Sequence, residues 1–444
     1  MKQKEHFYAS NIAQKVGFIH LIYDLAIRLL IAGIHVASYF IPKAKLWVQG
    51  RDQWRKKLPS WIRKDSSSKV LWIHAASLGE FEQGRPVIET FRAKYPDWKI
   101  VLSFFSPSGY EVRKDYPHAD LVCYLPADTR QNARDFLEII QPDVAVFVKY
   151  EFWANYLLEL KKRGVPTLLV SALFRPSQPF FQGYGRFWRQ MLGCFTHVFV
   201  QNESSGKLLK SIGFQPFTVA GDTRVDRVLK IAASAPENEV VRDFVALDTR
   251  KTLVVGSSWE VDESVIFQAI QKGNLAKQFD SSHWKLIIAP HEPSNANVQR
   301  IGQHLGNARC YSQFLLVAPV HPETSHLVID NIGLLNTLYR YGTVAYIGGG
   351  FGKGIHNTLE PAAFGLPVIF GPKYEKFEEA RQFVARGAAF PIQNAEDLAE
   401  ILTKLEDPGF YQKASEAVRA YLEENRGATG KVLLFLEQRL RTIS

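Results

Sequence analysis

From Lys69 onward the chain alternates short apolar runs with amphipathic stretches, and that alternation predicts most of its elements. "KVLWIHAAS" reads as a buried strand and Glu80–Lys94 as the helix after it. "KIVLSFFS", "DLVCYLP", "DVAVFV", "PTLLVSA" and "THVFVQ" read as further strands; "TRQNARDFLEII", "YEFWANYLLELKKRG" and "ESSGKLLKSIG" read as helices. Strands that are apolar throughout, each followed by a helix, indicate βα units around a parallel sheet. The polar, small-residue stretch "IAASAPENEVVRDF" (231–244) reads as a joint between domains. A second series follows: "KTLVVGSS", a helix from Val261, "WKLIIAP", "TVAYIGGG", "LPVIFGP", a helix over Lys376–Arg386 and another near Asp397–Leu405. The expected fold class is therefore α/β, with two Rossmann-like doubly wound domains at 69–230 and 231–444. Ligands of such sheets sit beyond the carboxyl ends of the strands, so a cleft faced by both domains is the expected site.

The first 68 residues break this pattern. Val16–Ile41 is long and apolar enough to reach across a bilayer, which needs about 20 such residues. His20, Asp24 and Arg28 interrupt it at i, i+4, i+8, a polar stripe on one helical face in which Asp24 can pair with Arg28. The stripe favours an interfacial amphipathic helix over a full span, with a packed soluble helix as the third reading. A secretory signal is excluded by the length of the run and the missing small-residue cleavage pattern. Behind it, "RDQWRKKLPSWIRK" sets Trp54 and Trp61, with Trp47 just before, beside six basic residues, as expected near lipid headgroups.

Composition sharpens the picture. The chain has 444 residues, 46% apolar and 22% charged, which fits two globular domains. Of its net +10, most lies in residues 1–65, where twelve Lys/Arg face Glu5, Asp24, Asp52 and Asp65. Charge gathered beside an apolar helix suits an anionic membrane surface better than nucleic acid, which calls for a basic reading face. Cys123, Cys194 and Cys310 form no CxxC pair, so neither a zinc site nor a disulfide framework is indicated.

The candidate chemistry lies at strand ends. In the second half, "AYIGGGFGKGIHNTLEPAA" reads as strand, glycine loop and helix start. Gly348, Gly349 and Gly350 would admit a ligand close to the backbone. N–H groups near Asn357, Thr358 and Leu359 would attract a phosphate, and Glu360 would accept ribose hydroxyls. The bland reading is that Asn357 caps the helix and the glycines only turn the chain. Two further loops fall at equivalent strand ends, one with Gly256, Ser257, Ser258 and Glu260, the other with Pro290, His291 and Glu292. In the first half, Glu80 opens a helix after one strand, Glu151 is expected at a helix start after another, and Asp222 and Arg224 follow a third. A carboxylate in reach of a hydroxyl makes a general base only if its pKa is tuned. A helix start lowers the pKa of Glu80, so burial or a second carboxylate must offset it. The chain has no DxD and no His/Asp metal cluster, which points away from a metal-held nucleotide diphosphate and toward a monophosphate donor.

The ordered set "HAASLGE", "QPDVAVFVKYEFWAN", "GDTRVD", "GSSWEVDE", "IIAPHEP" and "HNTLEPAAFGLPVIFGP" resembles the 3-deoxy-D-manno-octulosonic acid (Kdo) transferases of Gram-negative bacteria. The resemblance runs over nearly the full length. It implies the GT-B fold with a membrane-associated helix at the cytoplasmic face of the inner membrane. It also implies metal-independent, inverting transfer of Kdo from CMP-Kdo to a lipid A precursor, with no cofactor beyond that donor and no nucleic-acid partner. By motif position, Glu80 becomes the base, Glu151 and Arg224 the charge-stabilising pair, and Ser257, Ser258, Pro290, His291, Gly348–Gly350 and Asn357–Glu360 the CMP contacts. The family's PRHP reads Pro290-His291-Glu292-Pro293 here, and its threonine-histidine pair after GS reads Ser258-Trp259. Arg224 stands where the family has lysine, and an NAR-type stretch reads Ser171-Ala172-Leu173. "FRPSQPFFQGYGRFWRQ" (174–190), with Arg175, Arg186 and Arg189, is expected either to meet the lipid or to be a surface loop. The alternatives are a GT-B transferase using another nucleotide sugar, or a non-catalytic membrane-bound nucleotide sensor.

Overall fold

The computed structural model describes residues 2–58, 69–273, 281–316 and 324–443. Trp61 and the end of the basic segment lie outside the described residues. The chain divides into two compact units, Met1–Asp226 with Asn425–Ser444, and Arg227–Glu424.

The first unit holds a seven-stranded sheet among the described residues. Its strands are β1 (Val70–Ala75), β2 (Lys99–Phe104), β3 (Leu121–Tyr124), β4 (Val144–Val148), β5 (Thr167–Ala172), β6 (His197–Val200) and β7 (Phe217–Val219). They run parallel in the order β3-β2-β1-β4-β5-β6-β7. The winding reverses between β1 and β4, where the carboxyl ends open a crevice. Every residue of β1, β4 and β5 is buried, which is why these strands read as continuous apolar runs. Apolar clusters cover both faces, one around Trp72, Phe136, Phe147 and Tyr156, the other around Phe81, Phe91, Phe104 and Val146.

The second unit repeats the plan. Its strands are β8 (Lys251–Ser258), β9 (Trp284–Pro290), β10 (Ala308–Cys310), β11 (His326–Val328), β12 (Val344–Ile347), β13 (Val368–Phe370) and β14 (Ala389–Pro391). They are parallel in the order β10-β11-β9-β8-β12-β13-β14, and the reversal falls between β8 and β12.

The expected domain limits need two corrections. The stretch 231–244 is no open linker: helices Thr223–Ser234 and Glu239–Ala246 occupy most of it, the second capped by Asn238. The last helix, Ala428–Ile443, belongs to the first unit rather than the second. Val432, Leu433, Leu436 and Leu440 pack into that unit's core, and Asp226 accepts from the N–H of Gly427 (2.5 Å) and Thr429 (2.7 Å).

The N-terminal segment forms helices Lys2–Ala37 and Pro42–Arg51. The polar stripe is real, but its partners lie elsewhere than expected. Asp24 pairs with Arg130 (2.8 Å) and accepts from Asn155 (3.1 Å), while His20 Nε2 lies 2.8 Å from the Asn155 amide oxygen. Tyr23 donates to the buried Asp128 (2.5 Å), which also accepts from the N–H groups of Asn155 and Tyr156. Burial pushes the Asp128 carboxyl up to about 6. The helix thus docks by its polar face, and Leu21, Ile22, Leu25, Leu29 and Val36 stay exposed. Ile19–Ala37 is long and apolar enough to cross a membrane, with mean hydropathy 1.6. Trp47 and Trp54 are buried, contrary to their expected place at headgroups. Arg51 stacks on Trp47 and donates to the carbonyls of Leu125, Trp47 and Phe105, clamping this segment to the unit.

Candidate active site

In the first unit the two sides of the crevice each bring a carboxylate. Glu80 stands in the first turn of helix Leu78–Lys94, beyond β1, half-buried and bonded by the Ser77 hydroxyl. Burial, and then the charge of Glu151, raise its pKa; the backbone N–H groups of the helix start and the Lys149 ammonium oppose them and lose. The opposition noted from the sequence is thereby decided in favour of a raised pKa.

Glu151 lies beyond β4, but not at a helix start as expected. It sits in the loop before helix Ala154–Lys162, whose N-cap is Trp153. It is buried, and its Oε2 accepts from Trp153 Nε1 (2.6 Å) and lies 3.2 Å from His74 Nε2. His74 is fully buried and reaches Ser103 through Nδ1 (2.9 Å). Neither His74 nor Trp153 was singled out in the sequence; a histidine inside an otherwise apolar strand was the available signal.

Arg224 starts helix Thr223–Ser234, and Asp222 immediately before it accepts from its Nε (3.1 Å), its Nη2 (2.6 Å) and its backbone N–H (3.0 Å). Burial works against the Asp222 charge, but Arg224 and then Lys149 hold its pKa below the ordinary value. Glu151 and Arg224 therefore each have a partner of their own. Lys149 adopts φ 68° and Ser171 φ 54°, left-handed conformations unusual for side-chain-bearing residues. Lys149 directly follows β4, and Ser171 lies near the carboxyl end of the neighbouring β5, where its register with β6 shifts.

The segment 174–190 folds back on its own unit. Arg189 donates to the carbonyls of Phe180 and Gln182, and Phe187 packs on Tyr23 with ring centroids 5.6 Å apart. Arg175, Tyr184 and Arg186 remain exposed.

In the second unit the expected donor residues also gather at strand ends. The three glycines are required by the chain itself. A Cβ on Gly348 would stand 2.2 Å from the Ser257 carbonyl oxygen, and one on Gly350 2.6 Å from the Gly371 nitrogen. The Gly348 N–H bonds the Gly256 carbonyl (2.9 Å) and the Gly349 N–H bonds Asp262 (2.8 Å). The helix after Asn357 is one turn, Leu359–Ala362, and its first N–H is taken by the Asn357 side chain (3.1 Å). The expected backbone cradle is thus engaged internally at Gly348, Gly349 and Leu359. Asn357 Nδ2 in turn bonds Glu360 (3.0 Å), so these two side chains form one polar unit. Thr358 is buried, its hydroxyl without a partner. Ser257 takes φ 53°, and Ser258 is buried, donating to Glu263 (2.8 Å). His291 follows Pro290 at the end of β9, its N–H on the Ser258 carbonyl (2.9 Å).

Asp262, unremarked in the sequence among the acids of its helix start, organises this end of the sheet. Its carboxylate accepts from the N–H of Gly349 and of Trp259 (3.0 Å) and from the Tyr346 hydroxyl (3.0 Å). Burial raises its pKa, with those three bonds opposing.

Two doubly wound parallel units, each with polar side chains at its switch point, define a protein of the GT-B class. UDP-GlcNAc 2-epimerase of Neisseria meningitidis shares the fold, with a TM-score of 0.55 at 20% identity, over 83% of this chain and 100% of that one. Within this class the chain is similar in sequence to the Kdo transferases. Residues 52–227 match the family described as "3-Deoxy-D-manno-octulosonic-acid transferase (kdotransferase)". The 3-deoxy-D-manno-octulosonic acid transferase of Rickettsia felis is 29% identical over 79% of this chain and 74% of its own. That of Aquifex aeolicus is 26% identical over 80% of this chain and 93% of its own.

Proposed function

We propose that this protein is an inverting glycosyltransferase that moves Kdo from CMP-Kdo to a lipid A precursor, without a metal ion, in lipopolysaccharide biosynthesis. The observation that carries the reading is Glu80. It is a half-buried carboxyl at the β1/β4 crevice, with its pKa raised by burial and by Glu151. That is the condition a general base must meet to take a proton from a sugar hydroxyl near neutral pH.

In this mechanism Glu80 accepts the proton of an acceptor hydroxyl. The oxygen bonds to the anomeric carbon of Kdo from the face opposite CMP. The bond from that carbon to the phosphate oxygen breaks, and its electron pair leaves with CMP. Positive charge gathers on the sugar ring as the bonds exchange. The anionic groups Glu151 and Asp222 favour that charge, while Lys149 and Arg224 limit their mutual repulsion. On the donor side, Asn357 and Glu360 take the ribose and His291 approaches the phosphate, with Pro290 and the Ser257 turn shaping the pocket. The exposed apolar face of the first helix lies in the cytoplasmic leaflet of an inner membrane, aided by the basic N-terminal segment. There the enzyme meets its lipid acceptor.

The test is transfer by the full-length protein in detergent, with CMP-Kdo generated in situ and a tetra-acylated lipid A precursor, products read by mass. Wild type gains one or more Kdo units, in the presence of chelator as in its absence. Glu80→Ala binds CMP but gives no product. Turnover retained by Glu80→Ala would refute the assignment of the base.

A further inference from the structure

The β8/β12 crevice of the second unit carries an aromatic cluster of which the reading above uses only His291. Trp259 follows β8, His291 follows β9 and His356 follows β12. The Trp259 and His291 rings stack with centroids 4.5 Å apart at 28°, and His291 stacks on His356 at 4.6 Å and 26°. The indole N–H of Trp259 lies 3.2 Å from His356 Nε2 and donates to it. His356 therefore accepts through Nε2 and carries its proton on Nδ1; burial, then His291, lower its pKa and favour this neutral form. The backbone N–H of Trp259 is fixed on Asp262, which also holds Gly349.

Trp259 is thus held three ways, by its backbone, by one ring face and by its N–H. Yet 43% of it is exposed, and Val261 beside it is 56% exposed. A surface tryptophan with nothing to bind is not ordinarily so constrained. The face not covered by His291 is left to solvent at the switch point, where doubly wound sheets take their ligands.

We propose that this open face of Trp259 is the stacking platform for the pyrimidine ring of the donor nucleotide, a subsite separate from the Asn357 and Glu360 contacts. The inference rests on the nucleotide reading of the second unit. Stacking on an aromatic face needs no base-specific hydrogen bond and is worth roughly one to two orders of magnitude in affinity. His291 fixes the plane of the indole from behind. His356 sets its rotation through the hydrogen bond.

Calorimetric titration of the full-length protein with CMP, followed in parallel by tryptophan fluorescence, tests this. CMP is expected to quench part of the wild-type emission. Trp259→Phe keeps a ring face, so it should bind CMP within about threefold of wild type while losing that part of the quench. Trp259→Ala should bind CMP at least about tenfold more weakly, with an unchanged thermal transition. Quenching undiminished in Trp259→Phe, or wild-type affinity in Trp259→Ala, would overturn the platform and leave the nucleotide site standing. Failure of the wild type to bind CMP would overturn the nucleotide reading and the platform with it.

Discussion

The glycine loop after β12 allows a sharp test of what its residues are for. Take Gly348→Ala. The new methyl would lie 2.2 Å from the Ser257 carbonyl oxygen and 2.6 Å from the Ser258 Cα. Both are backbone atoms at the end of β8, so no side-chain rotation relieves the contact. The paired strands must part where Gly348 N–H meets the Gly256 carbonyl at 2.9 Å. Overpacking costs about 1–3 kcal/mol, and weakening a buried hydrogen bond adds about 1 kcal/mol. A loss of about 2–4 kcal/mol should lower the melting transition of the second unit by about 5–12 °C. Differential scanning calorimetry reads this directly. Gly302→Ala is the control. Gly302 lies inside helix Asn295–Leu305 with nothing within 4 Å of a Cβ, so alanine should stabilise by about 0.5–1 kcal/mol. If Gly348→Ala melts with the wild type, the glycine is not serving the sheet, and close approach of a ligand is the better account of it.

Other outcomes follow from the first unit. Glu151→Gln removes the charge that helps raise the Glu80 pKa, so the acid limb of kcat/KM should move to lower pH; a pH–rate profile that stays in place, or shifts upward, contradicts this. Asp128 is raised to about 6 from 3.8, so folding favours its protonated form, and its contribution to stability grows as pH falls from about 6 toward 4. Denaturant titrations across that window should show this slope in wild type and lose it in Asp128→Asn. Replacing exposed Leu25 and Leu29 with Gln should lower partitioning onto anionic vesicles by at least about a hundredfold, since each leucine contributes about 1.5–3 kcal/mol when buried in the bilayer surface. Transfer to a detergent-dispersed acceptor should persist in that variant.

Much of this architecture was legible because parallel strands buried on both faces leave unbroken apolar runs. β1, β4 and β5 are of that kind, as are the central residues of β8 and β9. The edge strands β10 and β14 are three residues each and carry too little pattern to stand out. The candidate carboxylates were visible as acids after apolar strands, but their environments were not. Glu80 owes its tuning to burial and then to Glu151, which lies far along the chain and meets it only through the β1–β4 pairing. The same separation hid Asp262, whose bond to Gly349 spans 87 positions. Local rules misled where a distant partner offered a better bond. Asp24 bonds Arg130 and Asn155 rather than being confined to its own helix, and the apparent helix after Asn357 ends within a turn.

The final helix has a consequence for biosynthesis. Because Ala428–Ile443 completes the core around β1, the first unit is interrupted in sequence by the whole of the second. A ribosome adding about 5–20 residues per second needs some tens of seconds to pass from Asp226 to that helix. Throughout that interval the earlier-made sheet lacks Val432, Leu433, Leu436 and Leu440, and the trough they fill lies open. A chain stalled or cleaved before residue 428 carries Glu80 and Glu151 but cannot close the layer behind them. Only a chain translated through residue 443 yields a finished first unit, which makes that sixteen-residue helix a built-in check that the second unit has been synthesised.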